Sequence, residues 1–357
     1  MQGVAESPEV RPPNPSVADL DSLKPGQKLG RYTLLTPVGQ GGMARVWAAR
    51  QAGQRGFQKM VAIKTIMPNL AADAEFERMF LDEARIASSI HHPNVCEILD
   101  LGEEGNVLFL AMEWVDGTSL LSMLKARPHA PLPDLLAVRI VADACAGLHA
   151  AHELRDDTGN YQRVVHRDVS PHNILIAFDG NVKVADFGVA KAMNLDHAPT
   201  MAGQLKGKVA YMSPEQAMGD LNVDRRSDIF SLGAVLYEAL TGKRAWPGAN
   251  DVTRLQNLLS GNLVPPRQIR ADLPVELEHI LARSLAMDPN QRFQTAEQMR
   301  LALEQFLVSR NSIVTPSDVG RLVMELAGGE IEERRLRIRA ATTSLPDEIA
   351  LIPPSQV

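Results

Sequence analysis

One stretch, residues 164–188, restricts the fold and the chemistry of this chain more than any other part of its sequence. It reads VVHRDVSPHNILIAFDGNVKVADFG and holds polar clusters separated by apolar residues. The clusters supply two carboxylates, Asp168 and Asp186, and a side-chain amide, Asn173. Oxygen groups of this kind bind Mg²⁺ together with phosphates when they are brought close to each other. The stretch therefore predicts a site that handles metal-bound phosphates.

The apolar residues between the clusters predict how these side chains converge. Residues 174–176 and 182–184 have the pattern of short β-strands, and Asp179-Gly180-Asn181 between them is a turn signal. A hairpin of this kind places both polar segments at strand ends.

Two features upstream point to the same chemistry. Residues 39–46, GQGGMARV, follow an apolar pattern that begins at Tyr32, and together they predict a strand, a glycine-rich turn and a second strand. Lys64 then interrupts an apolar strand, and an amphipathic segment, 74–90, carries Glu83. A buried ammonium needs a partner, which Glu83 can supply. Taken alone, each feature has an ordinary interpretation, a simple hairpin or two solvated charges.

Taken together and in this order, the motifs resemble the bacterial eukaryotic-like (Hanks-type) serine/threonine protein kinases. The resemblance covers about residues 31–307. It implies an α+β bilobal protein-kinase fold, in which the N-lobe is a small antiparallel β-sheet with one helix and the C-lobe is mainly helical. The expected division is a disordered Pro-rich leader at 1–28, the N-lobe at 29–113, the hinge and C-lobe at 114–308, and a C-terminal helical extension with a disordered tail at 309–357.

The resemblance also implies a role for each polar residue of the site. Asp168 is the catalytic residue that orients the attacking hydroxyl and accepts its proton, and Asn173 and Asp186 bind Mg²⁺. Lys64, oriented by Glu83, holds the α- and β-phosphates of ATP. The residues expected around the nucleotide are Val38, Gly39, Gln40, Gly41, Gly42, Val46, Ala62, Lys64, Glu83, Met112, Glu113, Val115 and Leu175.

Three further residues are expected to have structural roles in the C-lobe. In the family comparison, Asp228 caps backbone amides of the catalytic loop. Glu215, in Tyr-Met-Ser-Pro-Glu, pairs with Arg292.

The sequence departs from the family pattern at two positions. Ser170 stands where the family has Lys, two residues after the catalytic Asp, and Lys208 stands where it has Thr. We expect an exchange, in which Lys208 places its ammonium near Asp168 and the γ-phosphate and bonds to the Ser170 hydroxyl; Lys208 is then a catalytic residue. The alternative is that Lys208 faces solvent or an acidic substrate.

The segment after Asp186 is expected to regulate the site. Residues 189–210 show little apolar periodicity and predict a mobile loop. Thr200 is the only hydroxyl residue between Asp186 and Gly207. Phosphorylation of Thr200 would create a charged group for Arg167 to bind. The alternative is an unmodified loop threonine.

Composition excludes some partners and favours a compartment. The formal net charge is -6, and the basic residues are dispersed, which argues against nucleic acid as a partner. No run reaches the roughly 18 apolar residues that a membrane span requires. The two cysteines, Cys96 and Cys145, lack metal or redox spacing and suggest buried thiols in a cytoplasmic protein.

The expected function is ATP- and Mg²⁺-dependent phosphoryl transfer to Ser or Thr of protein substrates, including autophosphorylation, in intracellular signalling. One alternative is a catalytically inert kinase fold that serves as a scaffold, although Lys64, Asp168, Asn173 and Asp186 are all present. The other is a small-molecule kinase of related fold, but such enzymes generally lack the Pro-Glu motif found here at Glu215.

The resemblance ends near Asn311. Beyond it, Ser317 is expected to cap a helix that ends at Gly328-Gly329, and the charged segment 330–339 predicts a second helix. The preferred interpretation is a helix docked on the C-lobe, and the alternative is an arm that binds an intracellular partner. Residues 341–357 are expected to be disordered.

Overall fold

The computed structural model describes residues 23–40, 44–66, 74–105, 107–187 and 208–344. Its described residues form two lobes connected by the segment 114–116. The small lobe contains a six-stranded sheet, and the large lobe is mainly helical with a three-stranded sheet. This is the bilobal α+β architecture that the sequence predicts.

The small lobe is an antiparallel sheet covered by a helix. Alternating apolar residues such as Trp47, Val61 and Ile63 are fully buried on one side of the sheet, as expected for strands with one face on a core. The described elements are β1 (Lys28–Leu29), β2 (Tyr32–Gln40), β3 (Ala44–Ala52), β4 (Gln58–Ile66), α1 (Ala74–Ser88), β5 (Ile98–Glu104) and β6 (Val107–Glu113), in the sheet order β1-β2-β3-β4-β6-β5.

Residues 23–28 pack on the small lobe, so the prediction of a disordered leader is wrong for these six residues. Leu23 is 5% exposed and packs in the core of the small lobe with Leu29. The Gly26 amide donates to the Leu34 carbonyl at 2.7 Å, and the Leu34 amide donates to the Gln27 carbonyl at 2.9 Å. Burial of one leucine and pairing with β2 therefore order residues 23–28.

The large lobe surrounds the helices α3 and α5. Both helices are buried on most sides, since neighbouring helices cover them and β9 also packs on α3. Its elements are β7 (Gly117–Ser119), α2 (Leu120–Ala126), α3 (Asp134–His152), β8 (Ile174–Ala177), β9 (Val182–Val184), α4 (Pro214–Ala217), α5 (Arg225–Thr241), α6 (Asp251–Leu259), α7 (Pro266–Ile269), α8 (Val275–Ser284) and α9 (Ala296–Ser309).

Two features of this lobe bear on the sequence predictions. The predicted hairpin is present, with Ile174 opposite Val184 in the β8-β9 pair. Helix α3 is long and apolar enough to cross a membrane by those criteria alone, but 61% of its apolar window is buried inside the protein. A core helix of a globular lobe passes the same test, so α3 is a core helix here.

The C-terminal helix, α10 (Pro316–Thr343), differs from its prediction at the start and in the middle. Thr315, not Ser317, caps it: the Thr315 side chain accepts from the Asp318 amide, and Asp318 accepts from the Thr315 amide. The helix also continues through Gly328-Gly329. Each glycine costs about 1 kcal/mol relative to Ala, but one apolar face stays buried across them, comprising Val319, Leu322, Val323, Ala327 and Ile331.

Helix α10 starts in close contact with the β8-β9 turn. A Cβ at Gly180, whose φ is +90°, would lie 1.7 Å from the Pro316 carbonyl oxygen, and a Cβ at Gly320 would lie 2.6 Å from the Phe178 carbonyl oxygen. The helix also contacts α2, α3, β7 and β8 of the large lobe and β2 of the small lobe. The predicted docking on the C-lobe is therefore incomplete, because the helix contacts both lobes.

Candidate active site

A cavity of about 340 Å³ lies where the two lobes meet. Apolar side chains from both sheets form its roof and floor, and polar groups lie at its ends. The lining residues are Val38, Gly39, Val46, Ala62, Cys96, Met112, Glu113, Trp114, Val115, Gly117, Thr118, Ser119, Ser122, His172, Asn173, Leu175, Ala185, Asp186, Glu330 and Arg334. Its size and mixed lining suit a small-molecule ligand.

Most of the residues predicted around a nucleotide line this cavity. Those that do are Val38, Gly39, Val46, Ala62, Met112, Glu113, Val115 and Leu175, together with Asn173 and Asp186. Gln40 ends β2 outside the lining, and Lys64 is also outside it, although Lys64 contacts Asp186 of the lining. Gly41 and Gly42 lie outside the described residues. Glu83 lies on α1, but its side chain is outside the described part of the structure.

The described ends of the glycine-rich segment belong to β2 and β3, and Gly39 and Val46 both line the cavity. Gly39 pairs with Val46, and a Cβ at Gly39 would meet only the Val46 Cβ, at 3.7 Å. The protein's own packing therefore does not require glycine at this position. Close approach of ligand phosphates to the backbone is the physical reason for it.

Lys64 and Asp186 form an ion pair at the inner end of the cavity. The Lys64 Nζ lies 2.8 Å from Asp186 Oδ1, with 17% and 36% of the two side chains exposed. Asp186 has a φ of 59°, in the left-handed region that non-glycine residues rarely adopt. Residues held in such a conformation cluster at active sites and ligand clamps. The described partner of Lys64 is thus Asp186.

Asn173 connects Asp168 to the backbone of the segment that carries Asp186. Its Nδ2 donates to the Asp168 carbonyl at 2.9 Å and to Asp168 Oδ2 at 3.2 Å, and its carbonyl accepts from the Ala185 amide at 2.8 Å. These bonds use the amide nitrogen of the side chain and leave Oδ1 as its remaining acceptor. The Asn173 oxygen and the Asp186 carboxylate are hard oxygen ligands and fit a Mg²⁺ ion.

His166 joins the catalytic loop to the Asp186 segment. Its Nδ1 accepts from the Asp168 amide at 3.2 Å, so the other nitrogen, Nε2, donates to the Ala185 carbonyl at 3.0 Å. The ring packs on Phe187, with 4.6 Å between centroids. Burial lowers the pKa of His166, and the imidazole is therefore neutral.

Asp228 holds the catalytic loop from below. Its carboxylate accepts from the backbone amides of His166 and Arg167, both at 2.8 Å, and from His152 Nε2 at 2.8 Å. Burial by itself would raise the pKa of Asp228, but these hydrogen bonds and the nearby imidazoles bring the pKa below its usual value. The predicted capping role of Asp228 is confirmed.

The predicted pair of Glu215 and Arg292 is also confirmed. The guanidinium donates to both oxygens of Glu215, at 2.7 and 2.9 Å, and lies 4.8 Å over the Phe230 ring. Gln216, the next residue, donates to the Arg167 carbonyl at 2.9 Å. The Glu215–Arg292 ion pair therefore fixes the position of Gln216, and Gln216 supports the catalytic loop from a second side.

The remaining predicted residues are only partly described. Ser170 is 1% exposed, and its hydroxyl has no hydrogen-bond partner within the described ranges. Lys208 begins a short 3₁₀ turn, but its side chain lies outside the described part, as does all of Thr200. Arg167 has a φ of 60°. The proposed contacts of Lys208 and Thr200 therefore stay predictions.

Sequence reasoning missed part of the cavity wall. Cys96 lines it, and burial, more than the neighbouring Glu113, raises the pKa of this thiol to about 12, which keeps it protonated. Glu330 and Arg334 come from α10, and no local pattern indicates where that helix docks. Thr118, Ser119 and Ser122 also line the cavity. The only sequence signal for them is that they are small polar residues directly after the hinge.

Comparisons with known proteins agree with this geometry. Residues 32–303 match the protein kinase domain family. Tyrosine-protein kinase MasK of Myxococcus xanthus (strain DK1622) is 42% identical over 321 residues, which is 89% of this chain and 49% of MasK. Serine/threonine-protein kinase PrkC of Bacillus subtilis (strain 168) is 38% identical over 270 residues, which is 76% of this chain and 39% of PrkC.

The solved structures show the same fold. The kinase domain of Mycobacterium tuberculosis PknI superimposes with a TM-score of 0.60 and 28% identity, covering 80% of this chain and 99% of that domain. This chain spans about half or less of the length of the curated relatives above. It belongs to the protein kinase family, in the bacterial eukaryotic-like (Hanks-type) branch.

Proposed function

We propose that this chain transfers the γ-phosphoryl group of ATP to Ser and Thr hydroxyls of proteins, itself included, with Mg²⁺ as the metal ion. The observation that carries the proposal is that Asn173 and Asp186 line an apolar cavity and contact the other two residues of the set, Asp168 and Lys64 respectively. A scaffold without activity has no need for this set.

The cavity gives each part of ATP a complementary surface. Val46 and Ala62 above and Leu175 below can enclose the adenine, and the backbone of Glu113 and Val115 at the hinge offers donors and acceptors to its edge. The phosphates then extend towards Asp186 and Asn173. Bound Mg²⁺, held by those two residues, would neutralise phosphate charge.

Asp168 is placed to receive the proton of the attacking hydroxyl. Its carboxylate is oriented by Asn173, and its backbone amide by His166. As the hydroxyl oxygen bonds to the γ-phosphorus, the proton passes to Asp168, and the bond to the β-phosphate oxygen breaks to release ADP. Lys64 lies beside Asp186. Its ammonium can shift from the Asp186 carboxylate to the phosphates of ATP, because both groups are negatively charged.

Serine and threonine are the favoured acceptors. PknB and PrkC, at 37% and 38% identity, are named serine/threonine kinases, and the Tyr-Met-Ser-Pro-Glu segment supports the same choice. The second candidate is tyrosine, since MasK is named a tyrosine kinase and Ser170 replaces the usual lysine.

Phosphoamino-acid analysis separates these candidates. The purified chain is incubated with Mg²⁺, γ-phosphate-labelled ATP and a generic protein substrate, and the labelled products are hydrolysed. We expect phosphoserine and phosphothreonine from the wild type and no label from Asp168→Asn or Asp186→Asn, which should fold normally. Phosphotyrosine alone would favour the second candidate, and wild-type rates in Asp186→Asn would refute the catalytic assignment.

We also propose that Lys208 replaces the missing catalytic-loop lysine. The buried Ser170 hydroxyl, without a partner within the described ranges, is consistent with an incoming ammonium. Lys208→Met should lower kcat by about 10² to 10³, as for loss of one preorganised donor. Adding Ser170→Lys should restore part of the rate, so additive effects would argue against the exchange.

We further propose that phosphorylation of Thr200 regulates the activity and that the protein is cytoplasmic. Thr200 would be phosphorylated and bind Arg167, so Thr200→Ala should reduce activity, and mass spectrometry should find phosphate at Thr200 in the wild type. The net charge of -6 with dispersed basic residues supports a cytoplasmic protein without nucleic-acid or membrane partners. Recovery in the membrane fraction would contradict that location.

A further inference from the structure

Helix α10, which lies outside the matched kinase domain, supplies one wall of the cavity. The family match ends at residue 303, whereas α10 begins at Pro316, and its residues Glu330 and Arg334 line the cavity. One wall of the candidate nucleotide site is therefore formed by an element C-terminal to the residues that match the kinase domain family.

Two successive arginines fix α10 against the hinge, 114–116, and against Gly117 directly after it. Arg334 donates to the Gly117 carbonyl and lies 5.8 Å over the Trp114 ring. Arg335 donates to Asp116 Oδ2 from Nη2 at 2.7 Å and from Nε at 2.9 Å. The helix is thus held beside the cavity by directed contacts as well as by its apolar face.

Glu330 lies one turn before Arg334, on the same face of α10. Side chains four residues apart are neighbours on a helix, and the Glu330 and Asp116 charges oppose the effect of burial, which lowers the pKa of Arg334. Helix α10 also packs on α2, and Ser119 and Ser122 at the start of α2 line the same cavity as Glu330 and Arg334.

A nucleotide bound as proposed has its ribose at this position. Its adenine lies at the hinge and its phosphates at Asp186, so the sugar between them lies against the start of α2. Two other carboxylates line the cavity, but Glu113 pairs with Lys183 at 2.8 Å and Asp186 pairs with Lys64 at 2.8 Å. Within the described ranges, Glu330 has no ion pair and is largely exposed to the cavity and solvent.

We propose that Glu330 accepts hydrogen bonds from the ribose hydroxyls of the bound nucleotide, with Arg334 and Arg335 as positioning residues. The inference rests on the proposed function, because it requires a nucleotide in the cavity. A carboxylate is a strong acceptor for a vicinal diol, and acidic residues bind ribose hydroxyls in other nucleotide sites.

Binding of ADP and 2′-deoxy-ADP, measured by calorimetry in Mg²⁺, tests the proposal. The wild type should bind ADP at least about tenfold more tightly than the deoxy analogue, because a charged hydrogen bond is lost. Glu330→Ala should bind both nucleotides equally, and no more tightly than the wild type binds 2′-deoxy-ADP, because the 3′-hydroxyl also loses its acceptor. Glu333→Ala, an exposed carboxylate of the same helix outside the cavity lining, should keep the wild-type ratio.

The same measurements distinguish failure of the ribose contact from failure of the proposed function. If Glu330→Ala binds ADP but keeps the wild-type ratio, the ribose contact is wrong and the proposed function stands. If the wild type binds neither nucleotide, both proposals fail. Arg335→Ala should reduce the ratio only partly and Arg335→Lys should restore it, since Arg335 positions Glu330 rather than touching the sugar; a ratio unchanged in Arg335→Ala would refute the positioning role.

Discussion

Two regions next to the cavity differ in how completely their buried polar groups are hydrogen-bonded. One is the support below the catalytic loop, formed by Asp228, Glu215 and Arg292; the other is the mouth of the cavity, where residues 116–118 meet Arg334 and Arg335 of α10. Below the loop, Asp228 and Arg292 are each 1% exposed and make several hydrogen bonds to backbone and side chains. At the mouth, Asp116 Oδ1, Thr118 Oγ1 and Arg334 Nε are buried without a hydrogen-bond partner within the described ranges.

The difference indicates which region can change without unfolding. A buried charge with complete hydrogen bonding fixes one geometry, because removing any partner leaves the charge unsatisfied. A buried polar atom without a partner costs free energy, so a change that supplies these atoms with a partner is favourable. The catalytic loop is therefore preorganised, and the mouth is where nucleotide binding can alter contacts.

The largest effect should come from breaking the buried pair below the loop. Arg292→Leu leaves Glu215 without its counter-charge and should lower the free energy of unfolding by about 3 to 5 kcal/mol. Denaturant unfolding measures it. The control is Arg310→Ala, which removes an exposed pair with Glu276 and should cost less than about 1 kcal/mol.

A double variant sharpens this result. Replacing Glu215 as well, in Arg292→Leu with Glu215→Leu, removes the unpaired charge and should recover part of the loss. Additive losses in the two variants would mean that the pair is not energetically coupled.

A smaller effect is expected from Asp228→Asn, which keeps the shape but loses the charge. An amide cannot accept from three donors as a carboxylate does, so about 1.5 to 3 kcal/mol of stability should be lost. Turnover should fall as well, because the amides of His166 and Arg167 lose an acceptor. The control for turnover is Asp224→Asn at the half-buried N-cap of the same helix, where the carboxylate bonds to Arg226. Unchanged turnover in Asp228→Asn would contradict the preorganisation described above.

The pH dependence of stability tests the neutral His166. Its folded pKa lies below the unfolded value of about 6.5, so below that pH the unfolded state binds a proton that the folded state does not. Stability should therefore fall as pH decreases from about 6.5, by at most about 1.4 kcal/mol per unit for this residue. His166→Gln should reduce the slope, measured by unfolding between pH 7.5 and 5.5, and an equal slope would contradict a neutral His166.

The smallest effect on stability is expected at the mouth. Arg335→Ala removes a pair whose side chains are 26% and 29% exposed and should cost at most about 1 kcal/mol. A shift in melting temperature checks it, with Arg337→Ala on the exposed face as the control. A loss comparable to that of Arg292→Leu would erase the contrast between the two regions.

The sequence predicts the catalytic end of the site better than the mouth. Asp168, Asn173 and Asp186 lie within one hairpin, so short-range patterns place them close together. Glu330 and Arg334 reach the same cavity from a distant helix, and periodicity shows only which face of that helix is apolar, not the surface that it covers. The end predicted at Gly328-Gly329 was wrong because tertiary burial outweighs the low helix propensity of glycine.

The close contact of Gly180 with Pro316 has a consequence for reading related sequences. A side chain at Gly180 would meet the first turn of α10, and Gly320 admits no side chain towards Phe178. A kinase that lacks either glycine could not seat a C-terminal helix in this way, whatever its catalytic motifs. The joint presence of glycine at the two positions is thus a marker for sorting kinase sequences by whether their C-terminal segment returns to the hinge.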